Sequence, residues 1–452
     1  MNNLHNIFIF LLGFTVLLAS KCDPEPPKNL CSNRIKDAGE LGVDCGGICP
    51  ECHEVNPDKE VFIHDLSIIN SVEATNGALS FGQLISNMTT NSVSAKSLVL
   101  SLLTEWENEQ VINGFSSIPR NRIRSSVIDN WKAKDGQSGV SDEDWVINLN
   151  NAPFKLLGIT NRLDLGNPNN AESAGEGRLT YCLVVNDRPQ QFTWIFEYHL
   201  PTSDEYNSMD LAIDWHMLSD MDMHSTAYMS QLLKVLDRFT SKNAMPDKPN
   251  GSAISQIRTN EISLSSPWEL REFRISETSG LFRQVSVKMA PDLSLANNEL
   301  LLNFITQHAD EINEGTVKMP DSLNGVGFLA ASTPVPTSGF KWNVVGLEDE
   351  SLRSSFSKLT CNGCHGGEFG NTGFTHIKPP STLLGETGTS TFMDMDVEDR
   401  AKKLRIQLGV DSIFPEPAFA QMQLLEMDSL KMNEIREIRK FLASPANMNR
   451  EH

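Results

Sequence analysis

The chain has 452 residues and a formal net charge of −20 at pH 7, a length that allows two or three domains with sizeable hydrophobic cores. Apolar residues make up 39% of the chain and charged residues 21%, which is ordinary for a globular protein. The acidic balance argues against nucleic acid as a partner, because its phosphate backbone would be repelled.

Residues 1–20 are typical of an export signal. An apolar run from Ile7 to Leu18 is too short to span a bilayer comfortably, and the small residues Ala19 and Ser20 follow it. We therefore predict a signal peptide that is cleaved, with an uncleaved anchor as the alternative.

Cys22 lies two residues after the predicted signal. The stretch from Leu17 to Cys22 resembles a bacterial lipoprotein signal, except that Lys21 stands where such signals have a small residue. The resemblance implies a lipid on Cys22, which would attach the protein to a membrane. We therefore expect an exported protein, periplasmic or at the cell surface, either free or lipid-anchored to the outer membrane.

Residues 21–60 are predicted to form a cysteine-rich module and a linker. Four cysteines fall within 22 positions, namely Cys31, Cys45, Cys49 and Cys52. The module has too few apolar residues to fold without cross-links, so two disulfides are expected. It resembles a short VDCGGxCPxC module found near the start of secreted bacterial proteins. A zinc knuckle with four thiolate ligands is the alternative, which an oxidising compartment disfavours.

Residues 61–345 are predicted to form the main domain, which mixes helices with β-hairpins and makes the protein α+β in class. Its helices are predicted from apolar residues at helical spacing. They cover Val99 to Trp106, Arg120 to Lys134, a long stretch from Leu211 to Leu236, and Asn297 to Glu314.

Two hairpins are predicted in the same domain. In the run Phe192 to His199 four aromatic residues alternate onto one face, and the turn Asn186 to Pro189 joins this strand to Leu179–Val185. The second hairpin pairs Trp268–Ile275 with Leu281–Met289. Core packing is the expected role of the aromatic face.

Several charged clusters lie at the ends of these strands, including Arg162 with Asp164, Glu176 with Arg178, and the pair Arg258 and Glu261. Structural ion pairs are the first interpretation. The alternative is a polar pocket rich in Arg and Glu, which Glu197 and His199 would line because they share one strand face.

Residues 346–452 are predicted to form a small all-α domain. Leu352, Phe356 and Leu359 lie at helical spacing just before the sequence Cys361-Asn362-Gly363-Cys364-His365. Further helices are indicated around Val397, Ala401 and Leu404, and around Ile435, Ile438 and Leu442.

The CxxCH sequence has the spacing of a c-type haem attachment site. Cys361 and Cys364 can add to the two vinyl groups of one haem, and His365 then binds the iron from the proximal side. A helix leading into this motif and a closing amphipathic helix resemble class I c-type cytochromes. The resemblance implies a cytochrome c-like domain with one covalent haem c.

The sixth iron ligand decides the chemistry. Class I cytochromes use a methionine downstream of the motif, and the residues that offer one are Met393, Met395, Met422 and Met427. Met393 is the strongest of these, because it is predicted to lie in a polar loop that crosses the haem face. His376 is an equal competitor, and five-coordinate iron is a third option.

Two alternatives to haem are open. Cys361, Cys364, His365 and His376 could bind zinc with two sulfur and two nitrogen ligands, although adjacent Cys364 and His365 are poorly placed for one tetrahedral ion. A plain CxxC disulfide is the other alternative. Cys182 is expected to be an unpaired buried thiol.

The sequence therefore predicts an exported mono-haem c-type protein that transfers electrons or acts through its haem, coupled to a binding domain whose ligand is undefined. A haem-dependent peroxidase- or oxygenase-like enzyme is the first alternative. A non-enzymatic surface protein with a structural metal at the C-terminal motif is the second. The residues define neither the redox partner nor the substrate.

Overall fold

The computed structural model describes residues 30–73, 77–166, 174–335, 339–370 and 375–410, together with residues 435, 437, 438, 441 and 442. The predicted signal peptide, Cys22, Met422 and Met427 lie outside the described residues. The chain divides into two compact units, Met1–Cys52 and His53–His452. Within the described part of the chain, none of the helices is both long enough and apolar enough to span a bilayer.

The N-terminal unit is cross-linked by two disulfides, Cys31–Cys49 and Cys45–Cys52. The prediction of two disulfides is confirmed. Because all four sulfur atoms are in these bonds, the alternative of a four-thiolate zinc knuckle is wrong.

Glycine allows the chain to approach itself closely in this module. Gly47 has φ of +62°, and a Cβ atom at this position would lie 1.8 Å from the carbonyl oxygen of Gly39. Only glycine fits such a contact. Nearby, the carboxylate of buried Glu40 accepts hydrogen bonds from the backbone N–H groups of Asp37 and Asp44 at 2.9 and 3.2 Å.

The strands of the second unit differ widely in length. In chain order they are β1 (Phe62–Ile63), β2 (Gln110–Ile112), β3 (Phe115–Ser117), β4 (Phe154–Arg162), β5 (Glu176–Val185), β6 (Arg188–His199), β7 (Ile254–Asn260), β8 (Glu269–Leu270), β9 (Glu272–Ile275), β10 (Phe282–Val285), β11 (Ser322–Leu323), β12 (Val326–Gly327), β13 (Thr333–Pro334), β14 (Ile377–Lys378) and β15 (Gly388–Thr389).

The α-helices of the same unit are α1 (Leu66–Glu73), α2 (Phe81–Asn87), α3 (Ala95–Glu105), α4 (Asp129–Lys134), α5 (Ser208–His216), α6 (Thr226–Thr240), α7 (Glu299–Gln307), α8 (Ala309–Glu314), α9 (Glu350–Leu359), α10 (Cys361–Gly366) and α11 (Thr391–Gln407). Short 3₁₀ or π turns cover Leu30–Ser32 in the first unit and, in the second, Pro57–Val61, Arg124–Ile128, Leu149–Asn151, Leu163–Leu165, Pro249–Gly251 and Leu293–Asn297. Together with the strands they confirm the mixed α+β class.

Several predicted helices are shorter than expected. The helix predicted from Arg120 to Lys134 begins at Arg122 and continues through the π turn Arg124–Ile128 into α4. The stretch Leu211–Leu236 is two helices, α5 and α6, and the predicted helix Asn297–Glu314 is also two, because His308 leaves helical geometry between α7 and α8. Apolar spacing therefore located the helices but not their breaks.

Seven strands form one antiparallel sheet in the order β1-β4-β5-β6-β7-β9-β10. At its centre is the predicted hairpin of β5 and β6. Asn186 and Asp187 form its turn with φ of 50° and 59°, a backbone geometry that suits tight hairpins and that Asn and Asp tolerate. The second predicted hairpin is β9 with β10, while β8 leaves the sheet and pairs with β13.

The aromatic face of β6 lies in the core, as predicted. Phe192, Trp194, Phe196 and Tyr198 are each at most 1% exposed. The ring of Trp194 lies 4.2 Å from that of Phe154 on β4, measured between centroids. Large aromatic side chains bury much apolar area each, so this face supplies a major share of the hydrophobic stabilisation.

The opposite face of the sheet is polar. Because side chains alternate along a strand, Arg178 and Thr180 on β5 share this face with Glu197 and Ile195 on β6, and the register pairs Arg178 with Glu197. Arg178 is only 7% exposed and Glu197 is fully buried. Burying a polar sheet face is costly unless the residues packed against it supply hydrogen bonds or opposite charges.

The C-terminal segment contacts the sheet directly. The hydroxyl of Thr387 donates a 2.7 Å hydrogen bond to the carbonyl oxygen of Leu157 on β4. The predicted amphipathic helix before the CxxCH motif is α9, and its apolar residues Leu352, Phe356 and Leu359 are buried. The segment is not all-α, since it contains the β14–β15 pair. A separate cytochrome c-like domain over residues 346–452 stays a prediction.

Candidate functional site

The CxxCH motif forms the six-residue helix α10, which follows α9 after a single residue. That residue, Thr360, caps the helix, since its hydroxyl accepts a 3.2 Å hydrogen bond from the N–H of Gly363. The indole N–H of Trp342 donates to the Thr360 hydroxyl at 2.9 Å and to the side-chain oxygen of Asn362 at 3.1 Å. One buried tryptophan therefore holds the residues on both sides of Cys361.

Helices α9 and α10 also pack unusually closely. A Cβ atom at Gly363 would lie 2.1 Å from the carbonyl oxygen of Ser357. Beyond the motif, the Glu368 carboxylate accepts hydrogen bonds from both terminal nitrogens of Arg353 at 3.1 and 2.9 Å. Burial raises the pKa of Glu368, but hydrogen bonds from Arg353, Ser354 and Ser357 hold it below its ordinary value. These contacts hold the CxxCH motif in place against α9.

Both thiols of the motif face one cavity, which His365 also lines. Cys361 and Cys364 are not bonded to each other, and Cys182 is a third free, buried thiol, as predicted. The CxxC disulfide is therefore not formed. Burial raises the pKa of the Cys361 thiol to about 11, against the opposing effect of the Arg258 guanidinium.

His376 and Met393 line the same cavity as the motif. The ring centroid of His365 lies 4.7 Å from that of His376 and 5.9 Å from that of Trp268. The structure thus brings together five of the residues proposed for haem or metal binding, namely Cys361, Cys364, His365, His376 and Met393, whereas Met395 does not line this cavity.

The prediction that Met393 lies in a polar loop is wrong. Met393 belongs to the first turn of α11, and its N–H donates a 3.1 Å hydrogen bond to the hydroxyl of Ser390. Ser390 is a helix cap, and Asp394 adds a negative charge near the positive end of the helix. These two residues explain why a polar sequence is helical here. Met395 lies in the same helix.

The four proposed zinc ligands of the C-terminal motif are not gathered around one point. Among the described residues, Cys31, Glu40 and Cys49 are the one group of at least three acidic, His or Cys side chains whose ligand atoms all lie within 4.8 Å of one another. Two of these three are disulfide-bonded. The geometry therefore does not favour a tetrahedral zinc site at the motif.

The polar face of the sheet and part of α11 form the other wall of the cavity. Its cationic side chains are Arg162, Arg178, Arg258, Arg271, Lys288, Arg400 and Lys403, and its acidic ones are Asp164, Glu197 and Asp396. The alternative prediction of a pocket rich in Arg and Glu is correct for Glu197, whereas His199 does not line it. The lining of this cavity thus has more cationic than acidic side chains, whereas the chain as a whole has a net charge of −20.

Carboxylates on the sheet compensate several of these cations. Arg162 pairs with Asp164 at 2.9 Å and Arg178 with Glu176 at 2.7 Å. Although burial opposes it, Arg162 holds the pKa of Asp164 at about 2, and Arg178 and Arg258 hold the pKa of Glu176 at about 2. Both carboxylates therefore stay charged.

Arg400 is less well compensated. It pairs with Asp396 one turn earlier on α11, yet its Nε and one terminal nitrogen, both buried, have no hydrogen-bond partner among the described residues. Burial and the charge of Arg162 lower the pKa of Arg400 to about 10. Sequence reasoning missed Arg400, and the Asp396–Arg400 spacing on a predicted helix face was the available signal.

No known protein family matches the chain, and no curated protein or solved structure matches it either. The chemistry of the cavity is therefore the basis for assigning a function.

Proposed function

We propose that the protein is an exported mono-haem c-type protein. Cys361 and Cys364 would hold the haem through thioether bonds, and His365 would bind the iron. The supporting observation is that two free thiols and this imidazole, on one helical turn, face a single cavity. When bound, the haem supplies one-electron oxidation and reduction at its iron.

The other lining residues suit a porphyrin. Apolar walls come from Ile195, Trp268, Leu270, Val287, Phe392 and Leu442. The indole N–H of Trp268, which is buried, has no hydrogen-bond partner among the described residues. The cavity thus combines apolar surface with polar atoms that a ligand can satisfy, as small-molecule sites usually do.

The cavity walls must separate to admit a haem. The cavity volume is about 160 Å³, below the roughly 300–1,000 Å³ of typical ligand pockets. An imidazole nitrogen binds a first-row metal at about 2 Å, so rings on opposite faces of one iron have centroids farther apart than the 4.7 Å between His365 and His376. His376 can therefore serve as sixth ligand only after the two rings move apart.

Export is supported by the two disulfides of the N-terminal unit, because such bonds persist in oxidising compartments. We therefore propose that the protein is periplasmic or at the cell surface, with or without a lipid on Cys22. Its redox partner would then also lie outside the cytoplasm.

Absorption spectroscopy of protein made in a host with cytochrome-maturation machinery tests the proposal. We expect the reduced protein to show a c-type spectrum and to stain for covalent haem after denaturation. Cys361→Ala and Cys364→Ala should each lose one thioether bond, and the double variant should lose covalent haem. Cys182→Ala, a free buried thiol elsewhere in the fold, is the matched control and should keep it. Colourless wild-type protein would contradict the proposal.

A haem enzyme with an open sixth position is the second candidate. The supporting observation is that His376 would bind the iron only after its ring and that of His365, now 4.7 Å apart between centroids, had moved apart. Carbon monoxide should then bind the reduced protein at neutral pH. If it does not bind wild-type protein but binds His376→Ala, His376 is the sixth ligand and electron transfer is the better assignment.

A further inference from the structure

Two neutral polar atoms in the cavity wall lack a hydrogen-bond partner. The indole N–H of Trp268 is a donor and the side-chain oxygen of Asn260 is an acceptor, and neither atom, both buried, has a partner among the described residues. The two side chains are 6% and 7% exposed. Buried polar groups without a partner are uncommon, because they lose hydration without compensation. A donor and an acceptor on the wall of one cavity therefore indicate a molecule that pairs with both.

The pairing of β7 with the segment around β8 makes these two residues neighbours. Two backbone hydrogen bonds of 3.0 and 3.1 Å flank Asn260, donated by the N–H groups of Thr259 and Glu261 to the carbonyl oxygens of Arg271 and Glu269. Asn260 therefore lies opposite Leu270, and Trp268, two residues earlier, is its diagonal neighbour on the same face. Diagonal neighbours are about 7–8 Å apart, a gap that one small molecule can bridge.

The charged side chains beside this pair are already compensated. Arg258, two residues before Asn260 on β7, lies 3.4 Å from the Glu197 carboxylate, and Arg271 lies 3.0 Å from that of Glu269. The pair therefore favours a neutral molecule over an ion. A haem would not satisfy the Asn260 oxygen, because ionised propionates accept hydrogen bonds and donate none. The missing donor must come from a second molecule.

We propose that Asn260 and Trp268 form a binding site for a neutral carboxamide. The carbonyl oxygen of the ligand accepts from the Trp268 indole, and its N–H group donates to the Asn260 oxygen. Leu270 and Ile195, which also line the cavity, supply apolar contacts for the rest of the ligand. The centroid of the Trp268 ring lies 5.9 Å from that of His365, so the ligand would lie beside a bound haem. The site itself uses side chains of the β-strand wall and does not depend on the proposed function.

A set of three ligands of one shape tests the site. Benzamide has both a donor and an acceptor, whereas benzoate and acetophenone have acceptors only. We measure each dissociation constant on wild-type protein by ligand-observed NMR titration. Benzamide should bind at least about tenfold more tightly than either analogue, because each analogue leaves the Asn260 oxygen buried and unpaired. Equal affinity for acetophenone would overturn the proposal, since the acceptor would then have no role. A crystal soaked in benzamide that shows only water between the two side chains would also overturn it.

Three variants locate the binding. Asn260→Leu and Trp268→Phe each remove one of the two polar atoms and should weaken benzamide binding about tenfold or more. Trp215→Phe is the matched control, because the indole N–H of Trp215 is also buried without a partner among the described residues, but Trp215 does not line the cavity. It should bind benzamide as the wild type does. An equal loss in Trp215→Phe would contradict the assignment, and Trp268→Phe covers the case in which Asn260→Leu fails to fold.

Failure of the haem proposal would give a different result. Wild-type protein that carries no covalent haem but prefers benzamide would retain the carboxamide site and reject the proposed function. Haem-loaded protein that shows no preference for benzamide would retain the proposed function and reject the carboxamide site.

Discussion

Gly363→Ala tests the fit between α9 and α10. Helix propensity alone predicts a gain, because alanine is favoured over glycine inside a helix by about 1 kcal/mol. The contact predicts a loss, since the new Cβ would lie 2.1 Å from the Ser357 carbonyl oxygen. That oxygen belongs to the backbone and cannot rotate away, so the two helices must move apart.

The steric effect should exceed the propensity gain. Added atoms in a well-packed site cost about 1–3 kcal/mol and occasionally more, and a contact this short lies at the upper end. We expect a net loss of about 2 kcal/mol in the free energy of unfolding, measured by urea denaturation. Covalent haem per polypeptide should fall as well, because the shift displaces both thiols.

Gly388→Ala is the matched control for this substitution. Its Cβ would lie 3.5 Å from the nearest side-chain atom of Lys378, an ordinary van der Waals contact. We expect stability and haem content close to those of the wild type. If Gly363→Ala were as stable as the wild type and fully loaded with haem, the packing described for the motif would be refuted.

Three further predictions concern the rest of the fold. Burial raises the pKa of Glu73 from 4.5 to about 7, so the native state binds a proton that the unfolded state releases. The free energy of unfolding should therefore fall by up to about 3 kcal/mol as pH rises from 4.5 to 7. Glu73→Gln should remove this pH dependence in urea titrations, and an unchanged pH dependence would contradict the assignment. Trp194→Ala should cost about 3–5 kcal/mol in the same assay, and a loss below 1 kcal/mol would contradict the aromatic core. Cys45→Ser breaks one disulfide and should open the N-terminal unit to limited proteolysis under non-reducing conditions; cleavage at the wild-type rate would count against that pairing.

Local sequence patterns predicted many single elements of the fold. Helix α9 was predicted from the spacing of Leu352, Phe356 and Leu359, because one face of that helix is buried. Strand β6 was predicted from its alternating aromatic residues, because one face of that strand is buried. The Asn186–Asp187 turn was found from residue type. Each of these signals depends on neighbours within a few positions, where periodicity is informative.

Long-range contacts were beyond such reasoning. Arg400 and Arg162 share one cavity wall, although nothing in either local sequence indicates the other. The prediction of a loop around Met393 was wrong for another reason. It relied on the polar composition of the segment and did not take account of Ser390, which caps a helix there. The motif residues themselves were found, because CxxCH is a local pattern whose chemistry is specific.

Peptide mass mapping of the mature protein tests the central claim most directly. After proteolysis of protein from a maturation-competent host, the peptide that contains Cys361 and Cys364 should carry the added mass of one haem, and the peptide with Cys182 should not. Recovery of the first peptide with two unmodified thiols would contradict the account.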